Sequence, residues 1–177
     1  ARVHALEIQS DGKIVVAGSS EVGSSGGDGN IALVRYSADG SLDTSFGSGG
    51  KVITVLGTGE DEANDVDIQA DGKIIVVGKS FNGKVNDAAV VRYQANGTLD
   101  NTFGINGIAT FPIDSGGTVL YGLELQEDGR ILVAGSSHNG TYQNFALARL
   151  LPSGILDNSF GNNGSGKIVI SFGQVHS

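Results

Sequence analysis

Three acidic residues occupy the same place in three similar stretches of the sequence: Glu7, Asp67 and Glu124. Each stands between two apolar residues, as in Leu6, Glu7 and Ile8, a pattern typical of a β-strand. Carboxylate oxygens are the ligands that Ca²⁺ and Mg²⁺ prefer in proteins. If the three strands meet around one axis, the acids predict a metal site, and calcium is the ion we expect. In the other interpretation, each acid meets an Arg or Lys of a neighbouring strand or contacts water in a central channel.

An arginine and an aspartate also recur once per stretch, always eight residues apart. They are Arg35 and Asp43, Arg92 and Asp100, and Arg149 and Asp157. One interpretation is a threefold binding site. The other is a structural Arg–carboxylate bond that holds a strand to the loop after it. Because the pair repeats in every stretch, whereas a specialised site would mark only one, we favour the structural interpretation.

A phenylalanine followed by glycine recurs in the same way, at Phe46, Phe103 and Phe160. An aromatic residue that repeats together with its glycine is more typical of core packing than of ligand stacking. We therefore expect these three rings to lie in the hydrophobic core.

Two loops are acidic or glycine-rich without matching a known calcium loop. GGDGNI approaches the G-G-x-G-x-D calcium turn, but Ile31 stands where the ligand aspartate belongs. GEDEAND lacks the spacing of an EF-hand, and its acids are Glu60, Asp61, Glu62 and Asp65. We expect both segments to be solvent-exposed loops.

The sequence contains none of the common catalytic motifs. It has no Cys, which excludes a thiolate nucleophile, a disulfide and a thiolate metal site. His4, His138 and His176 stand at unrelated places in the three stretches, and no serine forms a recognised nucleophile motif with them. There is no H-E-x-x-H pair, P-loop or dinucleotide fingerprint. Apart from calcium we predict no cofactor, and enzyme activity is neither indicated nor excluded.

The charge balance argues against nucleic acid as a partner. The chain has 11 Lys and Arg against 19 Asp and Glu, a formal net charge of −8, and no run of basic residues. No apolar run approaches the roughly 20 residues of a membrane-spanning helix. We therefore expect neither nucleic-acid binding nor a membrane span.

These residues repeat because the whole chain repeats. LDTSFG begins at residue 42, LDNTFG at 99 and LDNSFG at 156, a spacing of 57 residues. Each unit predicts four strands and almost no helix, and in the first unit the strands span 3–9, 13–20, 30–37 and 51–56. The second strand is a nearly continuous apolar run, as in strands buried on both faces. An all-β chain of three four-stranded units is typical of a β-propeller.

The pattern A-L-x-I-Q-x-D-G-K-I-V-V-A-G, followed by A-L-V-R-Y and L-D-x-S-F-G, resembles the delta-60 repeat. The resemblance covers essentially the whole chain in three copies, with local departures at Leu150 and Arg130, where the other units have Tyr and Lys. It implies a β-propeller domain of unknown function from large, often secreted bacterial proteins. The strand order is similar to the blades of NHL-type six-bladed propellers, in which the first strand lines the central channel. The resemblance implies no activity.

The number of repeats raises a problem of closure. The predicted blades span about 1–56, 57–112 and 113–172 within one domain, 1–177. Closed propellers have roughly four to eight blades, so three blades leave two open faces. We predict that two copies join head to tail into a six-bladed ring with two-fold symmetry, because covering the apolar faces is favourable. A closed threefold β-trefoil or β-prism is the alternative.

These expectations favour a non-catalytic propeller module of a secreted or cell-surface bacterial protein. It would bind a protein or glycan ligand through its loops or channel mouth. The alternatives are a propeller lyase or hydrolase with its site at the channel mouth, a threefold lectin-like trefoil, and a structural spacer in a large adhesin.

Overall fold

The computed structural model describes residues 1–21 and 29–171, and within them twelve strands form three four-stranded antiparallel sheets. The first sheet, blade 1, contains β1 (Arg2–Ile8), β2 (Ile14–Glu21), β3 (Gly29–Tyr36) and β4 (Lys51–Thr54). Blade 2 contains β5 (Glu62–Ile68), β6 (Ile74–Phe81), β7 (Asn86–Tyr93) and β8 (Ile108–Phe111). Blade 3 contains β9 (Thr118–Leu125), β10 (Ile131–His138), β11 (Gln143–Leu150) and β12 (Lys167–Ile170). Within each blade, every strand pairs with its neighbours in the sequence.

This arrangement confirms the predicted all-β propeller fold with three four-stranded blades. The stacked order, with blade 2 between blades 1 and 3 and a core on each of its faces, differs from the closed threefold arrangement of a trefoil or prism. In the described ranges the only helical segment is one 3₁₀ turn, Asn162–Gly164. Those ranges contain no helix of the length and apolarity that a membrane crossing requires.

The first hairpin of each blade closes through the repeated Asp-Gly turn. The backbone N–H of Gln9 donates to the carbonyl oxygen of Lys13 at 2.8 Å, and the turns at Gln69 and Gln126 repeat this bond. Gly12 has a φ of 82°, a left-handed conformation that glycine adopts without steric cost. The turn chemistry seen in the sequence therefore sets the register of the first two strands.

Two hydrophobic cores lie between the blades. β5 packs across β1, β2 and β3, and β9 packs across β5, β6 and β7. The core between blades 1 and 2 contains the fully buried Leu33, Phe46 and Tyr93, and the Tyr93 hydroxyl donates to Thr54 Oγ1 at 2.7 Å. The core between blades 2 and 3 includes the fully buried Phe103. Each blade is therefore stabilised by its neighbour, as in other stacked repeats.

The middle blade explains the continuous apolar run of the second strand. In β6, Ile74 and Val76 join the core with blade 1, while Ile75 and Val77 join the core with blade 3. All four side chains are fully buried. A sheet that is covered on both faces needs apolar residues at consecutive positions.

Within residues 1–21 and 29–171, blades 1 and 3 each have one face that no other strand covers. The leading face, on blade 1, carries Leu6, Ile8, Val16, Val34, Tyr36 and Ile53. The trailing face, on blade 3, carries Tyr121, Ala134, Phe145, Leu147, Ile168 and Ile170, which line a concavity of about 890 Å³. Ile8 is 60% exposed and Phe145 is 66% exposed. Contiguous apolar surface of this kind is uncommon on monomeric soluble proteins.

A β-bulge interrupts the first strand of every blade. Strand pairing skips one residue in each, and the skipped residues are His4, Asn64 and Tyr121. A glycine opposite each bulge lets the backbones approach closely. A Cβ at Gly78 would lie 1.9 Å from the carbonyl oxygen of Glu62, and Gly18 and Gly135 have equivalent contacts. A bulge turns its side chain out of the regular strand alternation.

Candidate functional site

The repeated arginine and aspartate are bonded in every blade, which confirms the structural interpretation. The distance from Arg35 Nε to Asp43 Oδ2 is 2.9 Å, and the equivalent distances in blades 2 and 3 are 2.8 and 2.9 Å. Each guanidinium lies over a phenylalanine ring, with Cζ 4.5 Å from the centroid of Phe46, 4.6 Å from Phe103 and 4.7 Å from Phe160. The charge-assisted bond and the cation–π contact hold the third strand to the loop after it.

The aspartates accept further hydrogen bonds that keep them ionised. Oδ1 of Asp43 accepts from the hydroxyl of Ser45 at 2.6 Å and from its backbone N–H at 3.1 Å. These bonds, together with the charge of Arg35, lower the pKa of Asp43 to about 2. In blade 3, Arg130 Nε donates to Oδ2 of Asp157 at 2.9 Å, and hydrogen bonds from Ser159 and then from Arg130 lower the pKa of Asp157. The repeated polar residues are therefore occupied in holding the scaffold together.

The three acids of the predicted metal site lie at one position of three adjacent first strands. Because β5 lies between β1 and β9, Asp67 lies between Glu7 and Glu124. Burial raises the pKa of Asp67; a 2.6 Å hydrogen bond from the Ile68 N–H opposes the rise, and the charges of Glu7, Glu124 and Asp65 add to it. None of the three acids forms an ion pair within the described part of the chain. We call this cluster of Glu7, Asp67 and Glu124 the acidic wall.

The calcium site predicted at the acidic wall stays a prediction. Across residues 1–21 and 29–171, no group of three or more His, Asp or Glu side chains is arranged to hold a metal ion. The charges of Glu7 and Glu124 on the neighbouring first strands, and of Asp65 on the same strand, act on the carboxyl group of Asp67.

The expectation that the acidic segment GEDEAND, between blades 1 and 2, is an exposed loop is wrong. Asp61 is fully buried, and its carboxylate accepts from the N–H groups of Leu56 at 2.7 Å and Gly57 at 3.0 Å. Thr118 has the equivalent place between blades 2 and 3, where its Oγ1 accepts from the N–H of Ile113 at 3.1 Å. A buried carboxylate is stable where backbone donors satisfy it, so Asp61 is part of the connection between blades.

The other acids of this segment are also paired. Glu60 and Glu62 lie 2.9 and 3.2 Å from Nζ of Lys79. Oδ2 of Asp65 accepts from the N–H of Leu123 in the next blade at 2.9 Å. The segment is therefore an inter-blade joint that the sequence did not reveal.

Two of the three bulged side chains contact the next blade, a role that sequence reasoning missed. His4 Nε2 lies 2.9 Å from Glu62 Oε1, and Asn64 Nδ2 donates to the carbonyl oxygen of Leu120 at 2.8 Å. Tyr121, the third bulged residue, lies on the trailing face and is 57% exposed. The three side chains differ in type, so the repeat comparison does not mark them. Their only common signal is their place three residues before the repeated acid.

The described histidines lie in different blades. His4 is in β1, while His138 ends β10 and its Nδ1 accepts from the N–H of Gly140 at 3.0 Å. His176 and residues 26–28 of the GGDGNI segment lie outside the described residues. His4 and His138 therefore do not combine into one site.

A family model described as a β-propeller domain of unknown function, DUF5122, matches residues 9–46, 69–103 and 126–160. Together the three segments cover more than half of the chain, one segment per blade. Each ends on the phenylalanine that lies beneath the repeated arginine. No curated protein and no solved structure matches the chain.

Proposed function

The chain belongs to the DUF5122 family of β-propeller domains of unknown function, and on that premise we propose that it is a non-catalytic repeat module that binds a ligand at the mouth of its channel. The acidic wall carries this proposal. Its three carboxylates lie on adjacent first strands and form no ion pair within the described ranges. Their mutual repulsion acts on the pKa of Asp67. A cationic group placed there would relieve that repulsion.

The repeated arginines and aspartates support the same proposal, because they are already bonded to other groups of the protein. Each Arg–Asp pair is bonded within its blade, and its arginine lies over an aromatic ring. These groups hold the scaffold and are poorly placed to bind a ligand. The acidic wall differs because it repeats in every blade without an ion-pair partner among the described residues.

The charge of the wall suggests the ligand class. Clefts lined by charges of one sign attract ligands of the opposite sign, and the chain as a whole carries a formal net charge of −8. We propose a protein segment rich in Lys or Arg as the ligand. A glycan is the other candidate and forms an arm of the test.

The test compares two variants of equal charge. One is Glu7→Gln, Asp67→Asn and Glu124→Gln. The control is Glu21→Gln, Asp114→Asn and Glu127→Gln, which changes three acids away from the first strands, of which Glu21 and Glu127 are exposed and Asp114 is partly exposed. Fluorescence anisotropy with oligolysine and oligoarginine peptides measures binding, and a glycan array tests neutral and acidic sugars.

We expect the wall variant to bind the basic peptides at least about tenfold more weakly than the control variant. Equal losses in both variants would show attraction by net charge alone and contradict the proposed site. If the unmodified protein binds a glycan selectively and the wall variant does not, the acidic wall is the binding site but its ligand is a glycan and not a basic peptide. Calcium titration by calorimetry on the same variants tests the metal prediction.

We further propose that the module belongs to a secreted or cell-surface bacterial protein, as the delta-60 resemblance implies. Detection of the native protein in the culture medium or by antibodies on intact cells would support this location. Recovery only from the cytoplasm would contradict it.

A further inference from the structure

Two contacts at the outer loops repeat at both interfaces between blades. Arg35 Nη1 donates to the carbonyl oxygen of Ala95 at 2.6 Å, and Arg92 Nη1 donates to that of Pro152 at 2.7 Å. The backbone N–H of Gly47 donates to the carbonyl oxygen of Asn96 at 2.8 Å, and Gly104 to that of Ser153, also at 2.8 Å. Each blade therefore offers one arginine and one glycine N–H to a tight turn of the next blade.

The same turn also packs its glycine against the phenylalanine of the preceding blade. A Cβ at Gly97 would lie 2.9 Å from Phe46, and a Cβ at Gly154 would lie 2.9 Å from Phe103. Both glycines are buried. The turn thus fits closely over the ring at each of the two interfaces.

Blade 3 presents the same donors and ring, and no turn in the described part of the chain covers them. The side chain of Arg149 is 21% exposed, whereas those of Arg35 and Arg92 are each 7% exposed. Phe160 is half-buried, whereas Phe46 and Phe103 are fully buried.

Blade 1 presents the matching turn without a covering ring. Its residues are Ala38, Asp39 and Gly40, equivalent to Ala95, Asn96 and Gly97 of blade 2. The turn has the same backbone bond, from the Gly40 N–H to the carbonyl oxygen of Ser37 at 2.9 Å. Gly40 is exposed, and a Cβ built on it meets nothing within 4 Å.

The apolar residues of the leading and trailing faces are also equivalent to residues that are buried at the internal interfaces. Phe145 and Leu147 on the trailing face are equivalent to Ile31 and Leu33 of blade 1, which are fully buried against blade 2. Leu6 and Ile8 on the leading face are equivalent to Val66 and Ile68, which pack against blade 1. The trailing face therefore matches the face of blade 1 that packs against blade 2. The leading face matches the face of blade 2 that packs against blade 1.

We propose that the trailing face of one chain binds the leading face of a second copy, with Arg149 and Gly161 donating to the carbonyl oxygens of Ala38 and Asp39 of that copy. The interface continues the two that exist within the chain. Closed propellers have roughly four to eight blades. Six is the only multiple of three in that range, so a ring built from copies of these three blades closes after two copies.

Solution mass gives the first test, by light scattering across a concentration series. We expect twice the 18.0 kDa of one chain. Ile8→Glu places a charge on the leading face and weakens the dimer by about tenfold or more. Ile105→Glu is the matched control, because Ile105 is 80% exposed in the loop before β8 of the middle blade, and it leaves the mass unchanged. Thermal unfolding verifies that both variants fold.

Cross-linking tests the head-to-tail direction. The chain has no Cys, so Arg2→Cys and Tyr121→Cys each introduce a single thiol. These positions are equivalent to Glu62 and His4, whose side chains meet across the first internal interface at 2.9 Å. A mixture of the two variants treated with a short bis-maleimide gives covalent dimers, whereas either variant alone gives none. An 18.0 kDa mass at all concentrations, a larger or open-ended assembly, or cross-linking of one variant with itself would overturn the proposal.

Discussion

Arg92 donates from Nη1 to the carbonyl oxygen of Pro152 at 2.7 Å, and this bond joins the middle blade to the third across 60 residues of sequence. The same guanidinium donates from Nε to Asp100 and lies over the ring of Phe103. One side chain thus holds its own blade together and fastens it to the next. This double role explains why an arginine, with its planar fork of donors, stands here in every repeat.

Removal of this arginine leaves the buried Asp100 carboxylate with only the longer 3.7 Å ion pair to Lys73. We expect Arg92→Met to lower the free energy of unfolding by about 3 kcal/mol, at the lower end for a broken buried ion pair, because Lys73 compensates part of the charge. Lys84→Met removes an exposed charge in the same blade and should change stability by less than about 0.5 kcal/mol. Urea denaturation at one fixed protein concentration measures both, since association contributes to apparent stability. Equal effects of the two variants would contradict the scaffold role of Arg92.

Acid should destabilise the fold through the repeated aspartates. Hydrogen bonds from Ser45 and the charge of Arg35 lower the pKa of Asp43 to about 2, while the unfolded carboxyl has its ordinary value near 4. The unfolded chain therefore binds protons first as the pH falls. We expect the contribution of Asp43 to stability to be constant above about pH 5 and to be lost between about pH 4 and 2. Asp43→Asn should be less stable at pH 7 and should show a shallower acid transition; an unchanged transition would exclude Asp43 as a contributor.

The charge of Asp67 should affect the pH dependence of stability in the opposite direction to that of Asp43. Burial and the neighbouring acids raise its pKa, so the folded state binds the proton more tightly than the unfolded chain does. Ionised Asp67 then reduces stability at neutral pH, and this effect disappears as the pH falls below the ordinary carboxyl value of about 4. We expect Asp67→Asn to raise the urea midpoint at pH 7 and to leave it nearly unchanged at low pH.

Asp71→Asn serves as the control for Asp67. A hydrogen bond from Lys73 lowers the pKa of Asp71, so its charged form favours the folded state. This variant should slightly lower the urea midpoint at pH 7, because the pair is exposed and weak. If both variants shift the urea midpoint in the same direction, repulsion among the carboxylates of the acidic wall does not reduce the stability of the fold.

The glycine opposite each bulge should tolerate no side chain. In Gly78→Ala the new Cβ would lie 1.9 Å from the carbonyl oxygen of Glu62, so the backbone of β5 must move. We expect the free energy of unfolding to fall by about 3 kcal/mol, which is at the upper end of the cost of inserting a methyl group into a packed site. Gly140→Ala meets nothing within 4 Å and has only the strain of its φ of 93°, about 1 kcal/mol. Thermal unfolding of the two variants side by side measures the difference, and equal losses would rule out the close approach as the cause.

Sequence reasoning was most accurate where the signal is local. The predicted first-unit strands, 3–9, 13–20, 30–37 and 51–56, lie within two residues of those observed. The fourth strand ends early, at Thr54, because the N–H of Leu56 donates to Asp61 instead of to the sheet. The Arg–Asp bond was also predictable, since its partners lie eight residues apart in every repeat.

The sequence by itself determined the blade: a strand period of two, a turn at each Asp-Gly, and a 57-residue repeat that places equivalent groups in equivalent sheets. Only the tertiary structure decided what happens between blades. It buried Asp61, turned His4 and Asn64 across the interfaces, and left the Arg149 side chain partly exposed while Arg92 is buried. The physical reason is distance along the chain. Alternation and turn chemistry act between near neighbours, whereas inter-blade bonds join residues about 60 positions apart and depend on how many blades stand side by side.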